Sequence, residues 1–148
     1  MPTAALPFET TRHVREHCLC LAAQSAARTL ARLFDEALRP VGITSGQFSL
    51  LMSLNSPEPP TLGAISSVLA MDRTTLTANL KPLERRGLVT SIVDAGDRRV
   101  RRLSLSKSGR ATLRAALPIW KKTHAQLDAR LDHAAGALAL RAGLRVLA

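Results

Sequence analysis

Residues 71–106 read MDRTTLTANLKPLERRGLVTSIVDAGDRRVRRLSLS, and this stretch constrains the fold more than any other. Asp72 is a residue of N-cap type placed just before a helical pattern. Leu76, Leu80 and Leu83 follow at spacings of four and three, which puts them on one helical face. Gly87 stands where a helix C-terminus is expected. Residues 88–93 and 100–105 are rich in β-branched and apolar side chains and predict two strands. Asp94-Ala95-Gly96-Asp97 between them is a turn signal. A helix with a polar outer face, followed by a hairpin carrying Arg98, Arg99, Arg101 and Arg102, suits an anionic partner.

Charge supports that reading. The chain of 148 residues has a formal charge of +10. Between residues 72 and 110 there are ten Lys or Arg against four Asp or Glu, a net of +6 in about a quarter of the length. Concentrated positive charge favours a polyanion over a merely solvated basic face. There is no tyrosine and few other aromatics. That argues against single-strand binding by base stacking and for groove recognition of a duplex. Two cysteines, Cys18 and Cys20, make no disulfide framework, which suits a reducing cytoplasm. No signal peptide and no membrane span are read in the chain.

The length fits one domain with a helical extension. Residues 1–10 hold two prolines and no periodicity, and read as a flexible arm. From about Thr11 to Arg39 the pattern is one helix, ended by Pro40 and Gly42. Thr44 caps a second helix, with Phe48, Leu51, Met52 and Leu54 apolar. A proline-rich loop of residues 55–60 follows. Thr61 then caps a third, short helix that runs almost directly into the fourth, begun by Asp72. Two short helices joined tightly are a helix-turn-helix, and the hairpin after them makes it winged. From about Gly109 to Ala135 a long helix is expected. Leu113, Leu117, Trp120, His124, Leu127, Leu131 and Ala134 recur there at 4, 3, 4, 3, 4, 3, a heptad seam. Pro118 inside it should kink it or loosen its first turns. Gly136 breaks the pattern before a last apolar helix. The expected fold is mainly α: a winged helix-turn-helix lobe at 44–109 and a helical dimerisation region at 11–40 and 110–148. The seam then joins a homodimer.

These residues resemble the MarR family of winged helix-turn-helix transcription regulators over about residues 12–147. The wing, GDRRVRRLSLSKSG, is similar to the family signature D-x-R-x-x-x-x-x-L-T-x-x-G. Asp97, Arg99, Leu105 and Gly109 carry it, with Ser106 where Thr is common. The resemblance implies an obligate dimer, an operator with dyad symmetry, and repression relieved by a small molecule or an oxidant. Many relatives carry basic residues just after the Gly-Leu-Val turn, where this chain has Thr90, Ser91 and Ile92.

In a duplex complex the fourth helix enters the major groove, with its N-terminal half against base edges. Arg73, Thr74, Thr75, Thr77, Asn79 and Lys81 are the polar candidates. Arg73 suits guanine, Asn79 suits adenine and a threonine methyl suits thymine. Lys81 is assigned to phosphate. Arg85 and Arg86 read equally well as surface charges favoured at a helix C-terminus. The amide of Thr61 can serve a phosphate. On the wing, Arg99 is the candidate for a minor groove. Arg98 is assigned to phosphate, Arg101 is a further contact, and Asp97 holds an arginine or caps the turn. Two recognition helices one duplex turn apart stand ~34 Å from each other.

The first helix offers a second cluster. His13, His17 and Cys20 fall at i, i+4 and i+7, with Cys18 nearby. The cysteines are read as small packed residues, as a redox sensor, or with the two histidines as a metal site for zinc or copper. The redox reading rests on resemblance. Cys20 and Arg28 stand where the organic-hydroperoxide-sensing branch has its reactive cysteine and an arginine, but Gln24 replaces a tyrosine. The family resemblance also implies a crevice for aromatic or lipophilic acids, lined here by His17, Leu21, Phe48, Met52 and Trp120. No resident cofactor and no catalytic motif are read. The rival functions are a non-specific architectural DNA-binding protein and an enzyme built on a Cys-His pair.

Overall fold

The computed structural model describes residues 5–134 and 136–147. Among the described residues seven helices and one hairpin follow in the order α1 (Phe8–His17), α2 (Leu19–Leu38), a short 3-10 turn (Arg39–Val41), α3 (Ser45–Ser53), α4 (Leu62–Leu69), α5 (Arg73–Arg85), β1 (Val89–Val93), β2 (Arg101–Leu105), α6 (Lys107–Asp132) and α7 (Ala137–Val146). The mainly helical class and the two-stranded wing are as expected.

Four of the helix starts are set by side-chain oxygens. Thr44 and Gln47 form a reciprocal capping box, with Thr44 Oγ1 accepting from the Gln47 amide at 3.2 Å and Gln47 Oε1 from the Thr44 amide at 3.0 Å. Thr61 Oγ1 accepts from Ala64 N at 3.1 Å, and Asp72 Oδ1 from Thr75 N at 2.7 Å. Ser106 Oγ accepts from Gly109 N at 3.0 Å, so α6 begins two residues earlier than expected. Its described end is Asp132, and Ala135, the expected end, lies outside the described residues. The helix runs through Pro118 uninterrupted.

The tight connection between α4 and α5 turns on Ala70, whose φ of 48° is left-handed. That costs a non-glycine residue about 1–2 kcal/mol. Ser66 offsets it, because its hydroxyl donates to Met71 O at 2.6 Å and its carbonyl accepts from Met71 N at 3.1 Å.

The core lies within the winged lobe. Leu38, Leu50, Leu51, Ile65, Leu76, Leu83 and Leu103 are fully buried, drawn from α2, α3, α4, α5 and β2, and α6 adds Leu113 and Ala116. The strands pair antiparallel from Val89 with Leu105 to Val93 with Arg101, and Val89, Leu103 and Leu105 face inward. Gly109 is where α6 crosses the chain leaving α5. A Cβ there would stand 2.0 Å from Leu88 O. Ser106 and Ser108 hydroxyls both donate to Gly87 O, at 2.6 and 2.9 Å, which locks the start of α6 to the end of α5.

The N-terminal helix differs from expectation. It is not one helix from Thr11 but two, beginning at Phe8 and broken at Cys18, whose ψ of 105° is extended. The Cys18 thiol caps α2 by accepting from Leu21 N at 3.4 Å. A cap made by sulfur, without proline or glycine, leaves no ordinary breaker in the sequence. The expected arm is thus partly helical, and residues 1–4 lie outside the described residues. No residue of α1 is buried, and α2 buries only Phe34 and Leu38 near its end.

Candidate nucleic-acid interface

At about 100° per residue, Leu76, Leu80 and Leu83 fix which way α5 faces. Thr74, Ala78, Lys81 and Arg85 fall on the opposite side, and all are exposed. Arg73 is exposed beside them at the first turn, and Thr77 lies half-buried on the flank toward the wing. Arg73, Thr74, Thr77, Ala78 and Lys81 together line one shallow concavity. Ala78, on its lining, adds no bulk, so another surface can come close to the helix axis. Ala78 is no candidate from polarity, and Arg85 reads from its charge equally as a contact or a surface charge. The burial pattern of the helix places them.

The other flank faces α3. Asn79 is half-buried there, its Nδ2 donating to Thr75 O at 2.9 Å. Its Oδ1 would be 2.8 Å from a Cβ on Gly46. Asn79 is therefore turned into the α3–α5 contact, not outward as a base reader would be. Thr75 is exposed but committed to the cap, its hydroxyl donating to Asp72 Oδ2 at 2.9 Å. These bonds hold the Asp72 carboxyl below its usual pKa, led by the Thr75 amide. Arg86 donates to Gly42 O, anchoring the end of α5 to the loop before α3. That leaves Arg85 alone of the pair on the outer face.

At the wing tip Arg98 and Arg99 are exposed, and among the described residues neither side chain takes part in an ion pair. Asp97 caps the turn, accepting from the Arg99 amide at 2.9 Å. It does not hold an arginine. That part falls to Asp94, which pairs with Arg102 and accepts from the amides of Gly96 and Asp97 at 3.0 and 3.2 Å. The Arg102 hydrogen bond is the first cause of the lowered pKa of Asp94. Arg101 projects into the cleft between wing and α5, beside Thr77, Lys81, Glu84 and Ser91. The Ser91 hydroxyl is buried there without a hydrogen-bond partner. Thr61 starts α4 and is bridged to Arg102 on β2.

A model of the MarR family matches residues 43–100, which is this helix-turn-helix and the wing tip. The transcriptional regulator MosR of M. tuberculosis, solved in complex with DNA, is 34% identical. The superposition covers 88% of this chain and 93% of that one, with a TM-score of 0.78. The chain belongs to the MarR family. A mutant MarR from E. coli complexed with operator DNA is 25% identical over 90% of this chain and 96% of that one, with a TM-score of 0.79. The organic hydroperoxide resistance transcriptional regulator of Bacillus subtilis is 30% identical over 64% of each chain. The chain spans less than two thirds of the length of the curated relatives it matches.

Two further clusters lie away from the outer face of α5 and the wing. On α1, His13 and His17 stack at 4.1 Å, with His17 Nδ1 2.8 Å from His13 O. Cys20 belongs to the next helix, so the expected single face of His13, His17 and Cys20 does not form. No group of three metal-ligating side chains occurs among the described residues. Cys20 is exposed and accepts from Gln24 Nε2 at 3.2 Å, while Gln24 Oε1 accepts from Arg28 Nη2 at 3.4 Å. Gln24 thus links the thiol to the guanidinium. Cys18 is half-buried as the cap of α2.

The second cluster is aromatic. Phe48, Met52 and Trp120 line a cavity of about 420 Å³ with Ser49, Ser53, Leu69 and Leu117. His17 and Leu21 do not reach it, because the break at Cys18 and the exposed start of α2 hold them elsewhere. His124 packs on Trp120 at 4.2 Å and on Phe34 at 4.8 Å. Burial lowers its pKa, an effect opposed by the charge of Asp128 and reinforced by Arg141. Among the described residues no helix is long and apolar enough to cross a membrane.

Proposed function

We propose that this protein is a cytoplasmic MarR-type transcription regulator that binds double-stranded operator DNA with dyad symmetry as a homodimer. One observation carries the reading: an exposed helix face of Arg73, Thr74, Ala78, Lys81 and Arg85 and a tip of Arg98 and Arg99 share one rigidly packed lobe. That pairing suits a major groove and the minor groove next to it. Arg73, Thr74 and Thr77 read base edges. Lys81 and Arg85 meet phosphates, as does the Thr61 amide. Arg99 enters the minor groove, Arg98 meets phosphate, and Arg101 contributes from the cleft. Asn79 and Thr75 support the helix. The lobe at 44–109 reads DNA, and the helices at 11–40 and 110–148 join the two subunits. MosR and the E. coli protein were each solved with DNA, which supports this use of the fold.

The protein acts as a repressor released by a signal, and two features suit different signals. The Cys20–Gln24–Arg28 line suits an oxidant acting on Cys20, and the Phe48–Met52–Trp120 cavity suits a small apolar acid. Footprinting on the DNA upstream of the protein's own gene tests the whole reading. A symmetric footprint, preferred over random duplex by a thousandfold or more, is expected. Equal protection of random duplex would make it an architectural protein. Peroxide should lift the footprint of wild type and not of Cys20→Ser. A footprint that peroxide leaves intact removes the redox signal and leaves the cavity.

A further inference from the structure

The wing is tied to the rest of the lobe through one arginine. Arg102 Nε is bound by Asp94 on the hairpin turn, and its Nη1 donates to Pro59 O at 3.0 Å in the loop before α4. The next residue repeats the tie in backbone, with Leu103 N donating to Pro60 O at 3.0 Å. Thr61, which caps α4, is bridged to Arg102. On the other side of the pair, Asp94 Oδ2 holds the amides of Gly96 and Asp97, and Asp97 in turn holds the amide of Arg99. A continuous line of bonds runs from the start of α4 to the residue at the wing tip.

We infer that Asp94 and Arg102 are positioning residues that set where the wing tip stands relative to the helix-turn-helix, and so whether Arg99 and α5 reach their two grooves together. This rests on the duplex-binding function proposed above. A two-stranded ribbon on its own is marginally stable in water and free to swing. A guanidinium that donates to two acceptors, one on the ribbon and one on the loop before α4, removes that freedom in advance of binding. Pre-organisation of this kind raises affinity by removing an ordering cost from the binding step. Arg102 thus differs from its neighbours Arg98, Arg99 and Arg101. Its charge is already engaged by Asp94, and only about 37% of its side chain is exposed.

Asp94→Asn separates this role from simple electrostatics by sign. If Arg102 were a phosphate contact and Asp94 a nearby surface charge, removing the carboxylate would leave DNA binding unchanged or tighten it. A positioning role predicts a loss of tenfold or more on the mapped operator. In hydroxyl-radical footprints, minor-groove protection by the wing should fade while the protection around α5 persists. Arg102→Lys keeps the charge and loses the two-donor grip, and should behave in the same way. Circular dichroism and sedimentation control for fold and dimer.

Hydrogen exchange at the Gly96 and Asp97 amides of the free protein gives a second readout that needs no operator. It should quicken in Arg102→Lys. Unchanged or tighter operator binding by Asp94→Asn with both protections intact overturns the inference. So does unchanged exchange in Arg102→Lys. Wild type that protects no operator defeats the regulator reading instead, and the exchange result still decides the clamp.

Discussion

The two ends of α2 behave as though they belonged to different proteins. Its last turns bury Phe34 and Leu38 in a core closed by α3 to α6 of the same chain. Its first turns, with α1 before them and α7 later in the chain, leave Leu19 and Leu138 exposed at 74% and 77%, and Phe8, Val14, Leu144 and Leu147 are exposed as well. Large apolar side chains left exposed in that number on these helices call for a covering surface. The lobe is finished by intramolecular packing. The terminal helices are amphipathic elements whose apolar sides the chain itself leaves uncovered, and the proposed dimer would set a second copy against them. Damage to the first region should therefore appear as unfolding, and damage to the second as dissociation.

The largest effect expected is in the lobe. Leu83 is fully buried between α5 and the rest of the core. Leu83→Ala should cost about 2–5 kcal/mol in denaturant unfolding, by lost transfer energy and the cavity left behind. A loss below ~1 kcal/mol would mean that the lobe is not closed as described. Gly109→Ala tests the joint between α5 and α6. Its new methyl cannot stand 2.0 Å from Leu88 O, so the start of α6 must shift. A loss of about 1–3 kcal/mol is expected, the usual scale of overpacking.

For the second region, Leu19→Asp gives opposite signs for the two kinds of stability. Leu19 is the first residue of α2, where a carboxylate favours the helix dipole, so an isolated chain should tolerate the change or gain slightly. If a partner covers Leu19, the substitution withdraws about 1.5–3 kcal/mol of burial at each copy. Sedimentation should then show a dimer weakened tenfold or more, with the lobe still folded. Equal dimer stability would place the interface elsewhere. A smaller effect belongs to the wing. Arg99→Ala should weaken operator binding by at least ~1 kcal/mol, read in a gel-shift titration, with no change in folding.

The same division decides what was legible in the sequence. In the lobe, local signals and packing agree. Thr44, Thr61 and Asp72 cap the helices they were expected to cap, and Leu76, Leu80 and Leu83 face inward as their spacing requires. Where the sequence misled, the deciding contact came from a distant part of the chain. Asn79 looked like a base reader because polarity alone does not say which flank of α5 meets Gly46, 33 positions earlier. Asp97 is expected from the sequence to hold an arginine or cap the turn, and only the β register, which puts Arg102 opposite Ile92, shows that Asp94 holds it instead. In the terminal helices there was less to read. The break at Cys18 has no proline or glycine to mark it, and it undoes the alignment of His13, His17 and Cys20.

The finest test lies where the two regions meet, at His124. It stands on α6 against Phe34 of α2 and beside Trp120, and Asp128 and Arg141 are the charged groups that act on it. Asp128 is itself paired with Arg141 of α7, so an ion pair ties α7 to α6 one turn beyond His124. Burial favours the neutral imidazole, which puts the folded pKa below the ordinary value of 6.5. The unfolded chain therefore binds a proton more readily, and folding stability must fall as pH drops through and below that ordinary value. Thermal melts between pH 7.5 and 5.5 should show a modest lowering of Tm that His124→Phe abolishes. Phenylalanine fits because it keeps a ring against Phe34 and Trp120 and has nothing to protonate. Asp128→Asn removes the opposing charge and should deepen the loss at low pH. A Tm that rises on acidification would mean that Asp128 dominates His124, and that the ion pair to α7, not burial, governs this junction.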